Sequence, residues 1–340
     1  MTARRGRGVL RLLDALRLRF EGERIWRVRR SVSLTIFAAV AVLLGCEAAS
    51  AQATSAAVRR TPTPAPASGA PSMDAIAILS HGARLNGLIY RAAGEGAHPV
   101  ALFLHGFPGN EKNLDLAQAV RRAGWDAVYF DYRGSWGSGG AFSLANSLDD
   151  VSSVLAWIRA PANASRYRLD ASRIAIVGHS FGGWLALLGA RREPPQVCVA
   201  AMAAWNVGWT ARHLDDSGLR DDEVSEFRDA TDPLGGPLRT TSDALLKELT
   251  SAAAAWDYLS DAGSLKGRAL LLVAATRDTP DEDPAMHARL ERGVRDAGGT
   301  LVKSMTLEDD HVFSASRLRL AELLVEWLNG DCAASQRTAK

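Results

Sequence analysis

The stretch RIAIVGHSFGGWLALLGA, residues 173–190, limits the fold of this 340-residue chain more than any other. Ile174, Ala175, Ile176 and Val177 form an unbroken, β-branched-rich apolar run, as expected of a parallel strand covered on both faces. Trp184, Leu185, Leu187 and Leu188 then recur at helical spacing. Between the two patterns stands GHSFG, residues 178–182, a serine framed by glycines. This sequence predicts a tight strand-to-helix turn with Ser180 at the head of the helix, where backbone amides and the helix dipole favour a developing anion.

From residue 74 onward, apolar strand-like runs alternate with helical patterns, which predicts a mostly parallel α/β sheet flanked by helices. DAIAILS and LNGLIYRA read as an opening antiparallel pair, followed by the strands PVALFLHG, WDAVYFDYRG, VCVAAMAAW, RALLLVAATRD and TLVKSMTL around the turn described above. Helices are expected near 112–123, 147–160 and 284–297, with RLRLAELLVEWL as the last. Residues 206–264 lack a strand-like run and are polar and helix-rich, which fits a lid or cap inserted into the sheet domain. Their charge cluster DDSGLRDDEVSEFRD reads as a solvated face, with an acidic anchor among Asp215, Asp216, Asp221 and Asp222 as the alternative.

Gly-x-Ser-x-Gly between strand and helix is the sequence form of a nucleophile elbow, in which side chains at Gly178 or Gly182 would clash with the adjoining elements. FLHGFPGN, residues 103–110, ends an earlier strand in a loop suited to supply one oxyanion-hole amide from Phe107, with the second from Phe181. His311 in LEDDHVFS follows the last strand and is the one histidine of seven placed to serve as base. LLLVAATRDTPDED offers Asp278 as the acid, with Asp281 and Asp283 as fallbacks. His105 is expected to brace its loop, His179 and His287 to be structural, and His81, His98 and His213 to lie on the surface. No metal-ligand spacing or cofactor fingerprint is present, so neither a metal nor an organic cofactor is expected.

The chain order Ser180, Asp278, His311, with the loop DYRGSWGSGG at 131–140, resembles the α/β-hydrolase superfamily over roughly residues 74–330. Its serine-aminopeptidase-like and dienelactone-hydrolase-like branches are the nearest in pattern. The resemblance implies an acyl-enzyme mechanism on Ser180, a cap near 206–264, and Asp131 and Arg133 as braces of their loop. Trp136, Trp205 and Trp209 stand near presumed strand ends and are candidate substrate-pocket residues. The leading expectation is an exported serine hydrolase of carboxylic esters or thioesters. A serine peptidase or aminopeptidase of the same fold is the alternative, and a non-enzymatic binding protein is a third. Serine at the elbow argues against the relatives of this fold that use aspartate there.

Residues 1–51 hold ten arginines against four acidic residues, leaving 30 Lys and Arg against 34 Asp and Glu for the remainder. That mildly acidic body gives no electrostatic case for nucleic acid, and the expected partner is a small-molecule ester or a peptide. The basic excess precedes an apolar run, Val32 to Leu44, that is short for a membrane span and ends in small residues, so residues 1–51 read as an export leader. Cleavage after ASA at 49–51 competes with a lipobox reading of LLGC, in which Cys46 carries a lipid anchor. The expected location is the bacterial periplasm, a membrane-anchored lipoprotein or the secreted fraction. Residues 52–73 are a Pro/Ala-rich linker and 331–340 a tail. Cys198 and Cys332 are expected as buried free thiols, with a disulfide between them as the alternative.

Overall fold

Eight strands form one sheet in the order β1-β2-β4-β3-β5-β6-β7-β8, with only β2 running against its neighbours. In chain order these are β1 (Ser72–Ser80), β2 (Ala83–Arg91), β3 (His98–Leu104), β4 (Asp126–Phe130), β5 (Leu169–His179), β6 (Cys198–Met202), β7 (Leu270–Arg277) and β8 (Val302–Asp310). The computed structural model describes residues 69–215, 219–251, 253–279, 282 and 284–338, all within the compact unit Ala53–Lys340. The leader with Cys46, most of the linker, and the fallback acids Asp281 and Asp283 lie outside the described residues.

The central strands β3, β4, β6 and β7 are buried along most of their length and β5 is buried from Ile174 to His179, which explains why they read as continuous apolar runs rather than alternating ones. The edge strand β1 instead alternates, with Ile76 and Ile78 turned into the core. Helices cover both faces. On one side lie α1 (Leu114–Arg122) and α10 (Arg317–Trp327); on the other, α2 (Leu144–Arg159) and α4 (Phe181–Ala190). Every residue of α4 is buried, as an all-apolar helix requires. The short α3 (Pro161–Tyr167) and the longer α9 (Pro284–Asp296) complete the crossovers.

The cap emerges between β6 and β7 as expected: α5 (Val207–His213), α6 (Leu219–Ala230), α7 (Ser242–Ser251) and α8 (Ala253–Trp256). Phe227, Leu245 and Leu249 of the cap are fully buried and join the core on the α4 side of the sheet. Asp257 anchors its base, accepting from Asn206 Nδ2 at 2.8 Å and pairing with Arg212. Among the described residues no helix is long and apolar enough to cross a membrane.

Three expectations are corrected here. Cys198 and Cys332 are joined by a disulfide, their Cα atoms 5.7 Å apart, rather than standing as free thiols. The segment expected as a tail forms α11 (Ala333–Thr338), whose buried Gln336 donates to the Ile174 carbonyl at 2.9 Å. His98 is also no surface residue: its side chain is 12% exposed and lies 3.5 Å from the buried carboxylate of Asp126.

Candidate active site

Steric exclusion builds the elbow. Ser180 has φ 55° and ψ −123°, a backbone that a residue with a side chain holds only when its surroundings enforce it. A Cβ on Gly178 would stand 1.9 Å from the Gly182 carbonyl oxygen, and one on Gly182 would stand 2.1 Å from the carbonyl oxygen of Leu104. Helix α4 can therefore abut the ends of β3 and β5 only if both positions are glycine. Ser180 N–H donates to Met202 O at 2.9 Å and Trp205 N–H donates to Ser180 O at 3.2 Å, which ties the turn to β6.

The loop after β3 runs against Ser180, since the point a Cβ would occupy on Gly106 lies 3.5 Å from its Oγ. Phe107 follows Gly106 and Phe181 follows Ser180 in the chain, their rings edge to face at 6.4 Å. His105 braces this loop, its Nδ1–H donating to Gly106 O at 2.7 Å while its own carbonyl accepts from Tyr132 Oη at 2.8 Å. Asp131 holds Lys112 at 2.9 Å and accepts from Tyr129 Oη, and Arg133 is bonded to Asp150, so both brace as expected.

Sheet register brings the candidate acid and base together. Arg277 and Asp310 are partners on β7 and β8, so Asp278 and His311 are the next residues off two adjacent strand ends. His311 Nδ1–H donates to Asp278 Oδ1 at 2.9 Å, and the Asp278 side chain is 1% exposed. The His311 carbonyl accepts from His179 Nε2–H at 2.8 Å, which gives the buried His179 its structural role. His287 likewise accepts from Ala204 N–H at 3.2 Å.

Glu282 is a site residue that the sequence reading missed. Its Oε1 accepts from Ser180 Oγ at 3.2 Å, and its Oε2 lies 3.2 Å from His311 Nδ1 and accepts from Thr279 Oγ1 at 2.9 Å. Burial alone would push the His311 imidazole below its ordinary value. The hydrogen bond to Asp278 and the charges of Glu282, Asp278 and Glu226 outweigh that and raise it to about 9. By contrast burial leaves His105 and His287 at about 4 and His179 at about 3, neutral at any physiological pH.

Ser180, Asp278, Glu282 and His311 share one cavity of about 540 Å³, closed by Phe107, Trp205 and the cap. Of the three tryptophans proposed as pocket residues, Trp205 alone lines it. Trp136 is turned away, its indole N–H donating to Pro108 O at 2.8 Å under the Lys112 ammonium. Trp209 stacks on His213 at 4.0 Å within the cap. The cap's acidic cluster is more than a solvated face, because Asp222, Glu223 and Glu226 of α6 form one wall of the cavity. A second, polar hollow of about 580 Å³ shares Asp222 and Glu226 with it and is also lined by Asn110 and Asp229. The donor atoms of Asp278, Glu282 and His311 lie within 4.8 Å of one another, a spacing a cation could bridge, but His311 Nδ1 already shares its proton between the two carboxylates.

Residues 81–289, more than half of the chain, match the family described as X-Pro dipeptidyl-peptidase (S15 family). The chain belongs to this family. That places it in the α/β-hydrolase superfamily, in a branch that the sequence motifs alone did not single out. An uncharacterized protein of Mycobacterium tuberculosis is 29% identical over 140 residues, 41% of this chain and 48% of that protein. Lysophosphatidylserine lipase ABHD12 of Gallus gallus is 31% identical over 124 residues, 34% of this chain and 31% of the lipase. The S15-family chain thus spans half or less of the length of these relatives.

Solved structures share the fold. Est1E of Butyrivibrio proteoclasticus, with ferulic acid bound, superposes with a TM-score of 0.60 at 16% identity, covering 76% of this chain and 99% of that one. A brefeldin A esterase described as a bacterial homologue of human hormone sensitive lipase gives 0.57 at 19% identity over 87% and 86%. An acylaminoacyl peptidase of Pyrococcus horikoshii gives 0.56 at 17% identity over 76% and 41%.

Proposed function

We propose that this protein is an exported hydrolase of carboxylic esters or thioesters that works through an acyl-enzyme on Ser180. One observation carries the reading: Ser180 at its elbow opens into the same cavity as a His311 whose Nδ1–H is fixed on Asp278. That bond leaves Nε2 as the nitrogen that takes the Ser180 proton while Oγ attacks the acyl carbon. Asp278 orients the imidazole and stabilises its charged form. The amides of Phe107 and Phe181 receive the oxyanion, each worth about 3 kcal/mol of barrier. The leaving group takes the proton back from His311. Water, activated by the same nitrogen, then releases the acid and frees Ser180.

The cavity joins an apolar side, Phe107, Trp205 and Leu219, to the acidic wall of α6. This favours an acyl group with apolar bulk, and gives a second reading its support. In a peptidase, the carboxylates of Asp222, Glu223 and Glu226 would hold the amino group of a peptide, in keeping with the family's description. Export is supported by the basic and apolar leader and by the Cys198–Cys332 disulfide, a bond that persists in oxidising compartments. Lipid attachment at Cys46 remains part of this proposal and rests on the LLGC sequence.

Labelling with a fluorophosphonate, followed by a screen of p-nitrophenyl esters of increasing acyl length and of peptide anilides, tests the reading. Labelling of Ser180 with ester turnover well above anilide turnover is expected. Folded protein that takes no label removes the acyl-enzyme mechanism, and anilide turnover exceeding ester turnover replaces the esterase with the peptidase.

A further inference from the structure

Ser180 has one hydroxyl proton, and in this structure it is donated to Glu282 Oε1 at 3.2 Å. The other oxygen of the same carboxylate reaches His311 Nδ1 at 3.2 Å, beside the 2.9 Å bond from that nitrogen to Asp278. Thr279 pins Glu282 through two contacts: its hydroxyl donates to Oε2, and its carbonyl accepts the Glu282 N–H at 3.1 Å. One side chain outside the Ser-Asp-His set therefore contacts both the nucleophile and the base. Nothing in acyl-transfer chemistry calls for a second carboxylate there. It withholds the serine proton from Nε2 and it favours a charged imidazole that cannot act as a base.

We propose that Glu282 is a restraining, positioning residue that holds Ser180 and His311 in a resting arrangement, so that turnover proceeds only as its hold on the pair is released. The inference rests on the acyl-enzyme reading above. Other charges also face His311. From the β7 end comes Asp278, and from the cap Glu226, with Asp222 and Glu223 along the same wall. The neutral ring of His179 lies 4.7 Å away on β5. On β8, Asp309 is engaged with the Asp310 amide and lies 3.6 Å from Arg277, while Arg317 of α10 is bonded to Asn113 and Asp115. Glu282 is distinguished among these groups by touching both reacting side chains.

The fluorophosphonate rate constant, measured from pH 5 to 10, reads this without knowledge of the substrate. In that reaction Ser180 Oγ bonds to phosphorus, the P–F bond breaks, fluoride leaves, and the Oγ proton passes to His311 Nε2. For the wild type the rate should climb with pH toward a limb near 9, where the imidazole becomes neutral. Glu282→Gln removes the charge, and Glu282→Ala removes the acceptor as well. Each should move the limb to lower pH by about one unit and raise the rate at pH 7 about tenfold, with melting temperature monitored to show that both are folded. Limbs that superimpose on the wild type overturn the proposal. So does a loss of labelling at every pH in a folded variant, because Glu282 would then be required rather than restraining. Wild-type protein that takes no label removes the acyl-enzyme reading itself, and this inference with it.

Discussion

The two halves of the candidate site are held by different physics. The elbow is fixed by contact, with carbonyl oxygens at 1.9 and 2.1 Å from where side chains on Gly178 and Gly182 would begin. The acid–base half is fixed by charge, on two strand ends and the turn that follows β7, where Asp278, Glu282 and His311 settle among one another. The histidines make the same contrast. His105, His179 and His287 are neutral because they are packed, whereas burial acts on His311 too but is outweighed by carboxylates. The packed half is sensitive to volume, and the charged half responds to pH.

The sharpest separation comes from the nucleophile. Ser180→Ala keeps the packing and removes the chemistry, so turnover should fall about 10⁴-fold or more with melting temperature within a few degrees of wild type. Ester kinetics and a thermal melt check both parts, and wild-type rates would take Ser180 out of the mechanism. Asp278→Asn comes next, with a loss of about 10³ to 10⁴ in kcat, because the amide no longer fixes the imidazole tautomer. Full activity in this variant would hand the acid role to a fallback carboxylate.

Gly182→Ala asks the opposite question of the packed half. Its methyl meets backbone at both Leu104 and His105, neither of which can move without shifting β3. A loss of about 4 kcal/mol of stability is expected, seen as a large fall in melting temperature or as insoluble protein. A stable variant would show that the elbow is not sterically locked.

Acid titration should separate the halves more gently. The three packed histidines have folded values below the unfolded one, so the unfolded chain binds protons that the native state refuses. Stability should fall as pH drops from about 6.5 toward 4. His311 has the reverse sign: its contribution is fully present below about 6.5 and is lost as pH rises through about 9. Melting temperatures across pH 4 to 10 should decline at both ends, and His311→Gln should flatten only the alkaline decline. The smallest effect belongs to Trp205→Ala, which should change kcat/KM ratios among esters of different acyl length by about tenfold. A uniform loss across substrates, tracking melting temperature, would mark Trp205 as core.

The same division governs what the amino-acid sequence reveals. Steric requirements are written in residue type, so glycines at 178 and 182 and the apolar runs of β3 to β7 announced the elbow and the succession of strands along the chain, though not their order in the sheet. Charge requirements are written only in position. RDTPDED carries four carboxylates within six residues, and nothing local says that Asp278 turns to His311 while Glu282 reaches Ser180. The tryptophans fall short for a related reason: proximity to a strand end does not say which way a ring leaves it, and Trp136 and Trp209 leave away from the cavity. Asp222 and Glu226 looked like surface because α6 carries few apolar residues, yet the cap turns that face onto the nucleophile.

The bond between Cys198 and Cys332 closes a loop of chain whose two ends lie 134 positions apart, and the whole cap falls inside it. A protease that nicks the cap therefore cannot part the molecule. The amino-terminal piece keeps Ser180 and Cys198, the carboxy-terminal piece keeps Asp278, His311 and Cys332, and one covalent bridge joins them across the sheet. Nicked protein should migrate in denaturing gels as one species without reductant and as two with it, and the nucleophile and its base remain a single molecule until that bridge is reduced.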